Sequence, residues 1–130
     1  MAIRQNFSSG GQWEPIIGYS RAVRVGDRVW VAGTTAASPD GPVGGDDYGL
    51  QAREALRRIG VALHEAGART SDVVCTRIYL TDITQWEAVG REHGAVFGDV
   101  RPVASMVEVS SLIEPGVLVE IEAEAVVVDV

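Results

Sequence analysis

Residues 117–128 read VLVEIEAEAVVV, and their alternation sets the architecture. Successive side chains of an extended strand point to opposite faces, so Val117, Val119, Ile121, Ala123, Ala125 and Val127 share one face. Leu118, Glu120, Glu122, Glu124, Val126 and Val128 share the other. The first face is purely apolar and requires a covering layer. The second is half apolar and half acidic, a composition that suits a subunit interface with polar groups inside it better than a solvated surface.

Outward from this strand, VVCTRIYL at 73–80 repeats the pattern, with Val74, Thr76, Ile78 and Leu80 on one side and Cys75, Arg77 and Tyr79 on the other. GYSRAVRVGDRVWVAGTT at 18–35 contains two β-rich runs around Gly26-Asp27, a pair suited to a tight hairpin turn, which predicts strands at about 18–25 and 28–34. The Pro- and Gly-rich loop SPDGPVGGDD follows and ends in Asp46 and Asp47, either of which can cap a helix. Leu50, Ala52, Leu56, Ile59, Leu63 and Ala66 then recur at helical spacing, opposite Arg53, Glu54, Arg57, Arg58 and Glu65, up to a stop at Gly67. A second amphipathic helix is predicted from Asp82 to Gly98, with Trp86, Val89, His93, Val96 and Phe97 on one side. Strands at about 103–109 and 117–128 complete the order β-β-α-β-α-β-β. Two helices cover one face of a mixed sheet, and 130 residues make one α/β domain, residues 1–130.

Composition removes several classes of function. All eleven cations are Arg, scattered through a chain of formal charge −7, which argues against nucleic acid as a partner. Without Lys, Schiff-base catalysis and covalent pyridoxal phosphate attachment have no side-chain amine. Cys75 is the only cysteine, so no internal disulfide forms, and His64 and His93 beside it make no zinc-like cluster. No cofactor or metal is expected. The first ten residues lack a signal-peptide pattern and no apolar run reaches the roughly 18 residues of a membrane span, so a soluble, cytoplasmic protein without membrane contact is expected.

Several short segments, weak alone but specific in their order and spacing, together resemble the Rid/YjgF family, also described as RidA-like, UK-type or L-PSP endoribonucleases. They are Gly18-Tyr19-Ser20, Val31-Ala32-Gly33, Glu65-Ala66-Gly67, Asp72-Val73-Val74, Tyr79-Leu80-Thr81-Asp82, Val107-Glu108-Val109 and Val119-Glu120-Ile121-Glu122-Ala123. The resemblance implies an α+β, chorismate-mutase-like fold and a homotrimer with small-molecule clefts between its subunits. It also implies hydrolysis of reactive enamines and imines, with Tyr19, Gly33 and Glu120 at the motif positions that line the cleft. The family's deaminating members carry Pro-Ala-Arg-Ser at the start of the fourth strand. This chain reads Pro102-Val103-Ala104-Ser105, so Ala104 stands where that resemblance implies a guanidinium, and Gly90 replaces an Asn of the second helix. A charge-assisted carboxylate contact worth roughly 1.5–3 kcal/mol is thereby absent.

Each candidate has two readings. Glu120 holds and activates a water as general base, or is a carboxylate satisfied by Arg at an interface; Glu122 and Glu124 are lesser candidates for the same role. Tyr19 donates its hydroxyl to a ligand or packs between subunits. Arg21, which shares a strand face with Tyr19, Val23 and Val25, supplies the missing cation or is an exposed edge residue. Gly33 admits a ligand close to the backbone, with the Thr34 hydroxyl beside it, or marks a bend. Ser105 offers a polar contact; it has no base partner or elbow motif that would make it a nucleophile. His93 is a cleft residue or a satisfied core histidine, Cys75 an inert thiol, and Trp13 a packing residue or a cover for the cleft. Saturable binding without catalysis is the alternative function, and RNA cleavage, carried only by the family's older name, is disfavoured by the acidic charge.

Overall fold

A computed structural model describes residues 2–128. Six strands form one mixed sheet: β1 (Arg4–Phe7), β2 (Ala22–Val25), β3 (Arg28–Thr34), β4 (Val73–Leu80), β5 (Val103–Glu108) and β6 (Val119–Val126), in the order β1-β2-β3-β6-β4-β5. All neighbours are antiparallel except β4 and β5, which run parallel. The two helices, α1 (Tyr48–Glu65) and α2 (Trp86–Phe97), meet the sheet through one buried cluster. The α+β class and the single covered face are as the sequence predicts.

β6 is the hinge of the arrangement, paired with β3 on one side and β4 on the other. Val119, Ile121, Ala123 and Ala125 are buried under the helices, while Glu120, Glu122 and Glu124 are half-buried on the opposite face. The small Ala side chains face Ala52, Ala55 and Ala62 in the same cluster, which lets helix and sheet approach closely.

The local signals act as expected at α1. Asp47, not Asp46, is the N-cap, accepting from Leu50 N at 2.9 Å. At the other end Gly67 takes φ +80°, with Ala68 N bonded to Leu63 O and Gly67 N to His64 O, the pattern of a Schellman cap. The Gly26-Asp27 turn joins β2 to β3 with positive φ at Gly26.

Several expectations need correction. An additional strand, β1, precedes the hairpin; its largely exposed, polar RQNF carries no hydrophobic alternation, and it is held by pairing with β2, by Asn6 donating to Ser20 Oγ at 2.8 Å and by Phe7 against the core. β2 begins at Ala22 rather than 18, because Glu14–Gly18 forms a π-helical turn closed by Tyr19 N on Glu14 O. Val74 faces out and Val73 faces in: the β4–β6 register shifts between Val73 and Cys75, and one extra residue reverses the parity of the strand's first positions. β5 ends at Glu108, β6 spans less than 117–128, and a 3₁₀ turn at Ile83–Gln85 precedes α2. Only Val89, His93 and Phe97, at four-residue steps, turn toward the core; Trp86 and Val96 are exposed.

On α1, Leu50 is exposed and its neighbour Gln51 is fully buried. The amide explains the exchange: Nε2 donates to Gly45 O at 2.7 Å and Gly116 O at 2.9 Å, and Oε1 accepts from Leu118 N at 2.9 Å. Gln51 thus ties the loop before α1 to the entry of β6. Gln51→Leu, which leaves three backbone groups without these partners, is expected to lower unfolding free energy by about 3 kcal/mol in urea titrations at fixed protein concentration.

His93 is likewise a core residue, its Nε2 lying 2.8 Å from the buried Thr76 hydroxyl and its ring 4.8 Å from that of Phe97. Burial lowers its pKa below the ordinary 6.5. The neutral ring is therefore the folded form, and its stabilisation is full above about pH 6.5 and lost as pH falls through the lower folded value. Unfolding titrations of His93→Gln should show a flatter dependence on pH below 6.5 than wild type.

Candidate functional site

The three glutamates of β6 share a face but not an environment. Tyr79, opposite Glu120 on β4, donates its hydroxyl to Glu122 at 2.7 Å. Arg77 lies 3.0 Å from Glu124 and 3.6 Å from Glu122. Glu122 and Glu124 are thus the carboxylates satisfied within the sheet. Glu120 alone of the three has no ion-pair or hydrogen-bond partner among the described residues. Burial, with the nearby Glu122 charge adding to it, raises its pKa, against an opposing pull from Arg21.

What brings Glu120 to a cleft is an irregularity in β3. Val31 pairs with Ala123 and Thr34 with Ile121, so β3 carries one residue more than β6 between these points, at Ala32-Gly33. The Glu120 side chain lies against this bulge. A Cβ on Gly33 would be 2.8 Å from both its Cδ and Oε1. The absence of a side chain at Gly33 is therefore filled by the carboxylate itself, rather than being left free for a ligand.

Around Glu120 opens a cleft of about 740 Å³, whose lining includes Tyr19, Arg21, Gly33 and Thr34. Arg21 Nη1 donates to Gly33 O at 2.7 Å, to Thr34 Oγ1 at 2.9 Å and to Ala32 O at 3.4 Å, while Nη2 is 3.5 Å from the Tyr19 hydroxyl. The guanidinium also stands 5.7 Å over the Tyr19 ring. It is a half-buried cleft residue, not an exposed edge charge. Thr34 is buried and its hydroxyl donates to Ala32 O while accepting from Arg21, so its one proton is committed inside the protein.

Ser105 is not brought to this cleft within the chain. It is exposed on β5, in register with Arg77 on β4 and, beyond it, Glu122 on β6, beside an equally exposed Ala104. Cys75 is half-buried on the same sheet face, where burial pushes its thiol up, and it is not in the cleft lining.

Trp13, which the sequence offers as a packing residue or a cover for the cleft, lines it, its Nε1 donating to Glu114 Oε1 at 2.8 Å. Sequence reading missed the rest of this wall: Glu114 itself, and Gln12, which reaches the same oxygen at 3.3 Å. Glu14, buried, accepts through Oε2 from Ser9 N, Ser9 Oγ and Gly11 N at 2.9–3.2 Å. Burial raises the Glu14 carboxyl, but hydrogen bonds from the Ser8 and Ser9 hydroxyls and from Gly11 and Ser9 N–H outweigh it and hold it below the ordinary range. Arg57 and Arg58 of α1 also line the cleft; both pair with Glu54, whose pKa their hydrogen bonds help bring down to about 2. Arg58 further holds Thr35 O and Ala37 O at 2.8 Å, fixing the loop that leaves β3. Among the described residues no group of three His, Cys, Asp or Glu side chains is placed to hold a metal ion. No helix among them is long and apolar enough to cross a membrane.

Residues 11–127 match the family model described as Endoribonuclease L-PSP. The chain belongs to the Rid/YjgF family. A solved structure of a Mycobacterium tuberculosis member, of the YjgF/YER057c/UK114 family, is 55% identical and superimposes with a TM-score of 0.88 over 96% of this chain and 100% of that one. An uncharacterized protein of Streptomyces coelicolor is 41% identical over 117 residues, 90% of this chain and 87% of its own length. The 2-iminobutanoate/2-iminopropanoate deaminase of Salmonella typhimurium is 31% identical over 115 residues, 83% of this chain and 86% of that one. Family membership thus carries the fold with it, while the Glu120–Gly33 contact is a property of this chain's own geometry.

That contact is testable. A methyl group at Gly33 displaces the Glu120 carboxyl and presses on its Cγ, 3.2 Å away, but meets only this flexible side chain, so Gly33→Ala is expected to change stability by less than about 1 kcal/mol. The displaced carboxylate should titrate closer to an ordinary glutamate, read by carbon NMR of the Glu120 carboxyl.

Proposed function

We propose that this Rid/YjgF member works as a homotrimer whose clefts, lying between subunits, hydrolyse the C=N bond of a small imine, or of an enamine after tautomerisation, without a carboxylate-binding arginine at position 104. The observation that carries the reading is Glu120: unpaired among the described residues, half-buried, raised in pKa, and facing a cleft of about 740 Å³ beside Tyr19 and Arg21. A carboxylate with an elevated pKa is a better base near neutrality than an ordinary one. The printed activity of the Salmonella relative supports the same chemistry.

In the proposed reaction Glu120 takes a proton from water as the water oxygen bonds to the imine carbon and the C=N π electrons move to nitrogen. Glu120 returns that proton to nitrogen, giving the carbinolamine, then takes the hydroxyl proton and delivers it to the amino nitrogen as the C–N bond breaks, so that a carbonyl compound and ammonia leave. Tyr19, whose hydroxyl accepts from Arg21 Nη2 and keeps its own proton to give, provides a donor for the substrate's polar atoms. The trimer is supported by the sheet face that the helices leave open, where Trp30 is 37% exposed beside the Arg77–Glu122–Glu124 cluster, and by β5, whose Val103 is 70% exposed.

Binding without turnover is the second reading. It is favoured by Ala104 and by the engagement of Arg21 Nη1 with Gly33 and Thr34, which leaves less of a cation free to anchor an acid. The −7 charge weighs against RNA as substrate, despite the name of the family model.

Ammonia release from freshly generated uncharged imines and from 2-aminoacrylate distinguishes these readings. Turnover should favour the uncharged imines and fall at least 100-fold in Glu120→Ala. Because the deprotonated carboxylate is the active form, kcat/KM should decline as pH falls through the raised pKa, beginning at a higher pH than for an ordinary glutamate. Saturable binding with equal, background ammonia release from both proteins would establish the binding module instead.

A further inference from the structure

In one subunit the cleft is open, and its walls extend well beyond the space that a small imine would take beside Glu120. Six non-hydrogen atoms, at the roughly 30 Å³ each that a water takes in the liquid, fill about 180 Å³. The cleft holds about 740 Å³. The lining is largely polar, with Arg57, Arg58, Glu65 and Glu114 beside Tyr19, Arg21 and Glu120, but it also includes the apolar Trp13, Ile113 and Val117.

That wall is built rather than incidental. The single polar atom of the Trp13 side chain is consumed by Glu114 at 2.8 Å, so the indole has only carbon left to offer a ligand. The same bond joins two segments a hundred residues apart in the chain, the strap at 9–13 and the loop before β6. Glu14 fixes the strap from beneath through three hydrogen bonds to one carboxylate oxygen. Ile113, next to the latch, is 61% exposed in the chain. A held indole, bonded to the neighbour of the exposed Ile113, is a low-entropy platform for a flat apolar group.

We propose that this wall is a specificity subsite, and that the cleft takes imines bearing an aromatic substituent, which stacks on Trp13 while the C=N group lies toward Glu120. The inference rests on the cleft's being the substrate site. Trp13 is a specificity residue and Glu114 a positioning residue that holds its ring.

Benzamide and acetamide, two uncharged amides that differ in the aromatic group, are the probes, titrated calorimetrically into the full-length protein. Benzamide should bind at least tenfold more tightly than acetamide. Trp13→Ala should bring the two within about threefold by weakening benzamide alone, Trp13→Phe should keep most of the preference, and Glu114→Gln should fall between, with light scattering showing an unchanged assembly in each. Failure of either amide to bind, a ratio unmoved by Trp13→Ala, or a change of assembly mass in that variant would overturn the subsite. Imine turnover is scored separately. Hydrolysis with no amide discrimination removes the subsite and leaves the hydrolase reading standing, whereas discrimination without hydrolysis of any imine does the reverse.

Discussion

The alternation along β6 is the constraint on which the rest depends. β6 is paired on both sides, so neither of its faces can be relieved by turning the strand. With Val119, Ile121, Ala123 and Ala125 committed to the helices, three carboxylates are forced together onto the opposite face, about 7 Å apart at each step of two. A row of like charges at that spacing is unfavourable unless each finds its own means of relief. The neighbours on β4 and β3 provide that relief unequally, and the inequality is what creates a site.

Arg77 and Tyr79 project from β4 onto the row and engage Glu122 and Glu124. At Glu120 the relief is of another kind. The extra residue in β3 and the bare Gly33 make room for the side chain to lie against the backbone, and Arg21, held by the carbonyls of the same bulge, stands across the cleft. Chemically identical residues two positions apart thus become structural ion pairs and a half-buried, unpaired carboxylate. A gap in the hydrogen-bond ladder, rather than the type of residue, separates the candidate catalytic group from the structural ones.

This explains which parts were legible in the sequence. Periodicity, capping and turn chemistry are local, so the hairpin at Gly26-Asp27, a helix cap at Asp46 or Asp47, the Gly67 stop and the two faces of β6 could be read directly. Tyr19, Gly33 and Glu120 were indicated by the family resemblance, Thr34 by its place beside Gly33, and Arg21 by strand alternation with an exposed edge charge as its other reading. Bulges were not: one inserted residue reverses every side chain up to the next regular pair, which misplaced Val74, and no residue type near Cys75 announces it. Gln51 and Glu14 were missed because a buried amide or carboxylate is stabilised by partners distant along the chain or by a turn that polar sequence alone does not identify. The Trp13–Glu114 bond spans the chain in the same way. β1 escaped because an edge strand of exposed polar residues lacks the alternation that marks a half-buried one.

The cations that reach the cleft, Arg21, Arg57 and Arg58, are all guanidinium groups, and the chain has no lysine anywhere. A pocket proposed to liberate aldehydes or ketones next to positive charge faces a chemical hazard, since a primary side-chain amine at the same place would condense with its own product and form an adduct there. Guanidinium, protonated throughout the biological range, supplies the charge without that nucleophile. Exclusive use of arginine would give such a pocket its electrostatic grip without a side-chain amine for the proposed product to modify.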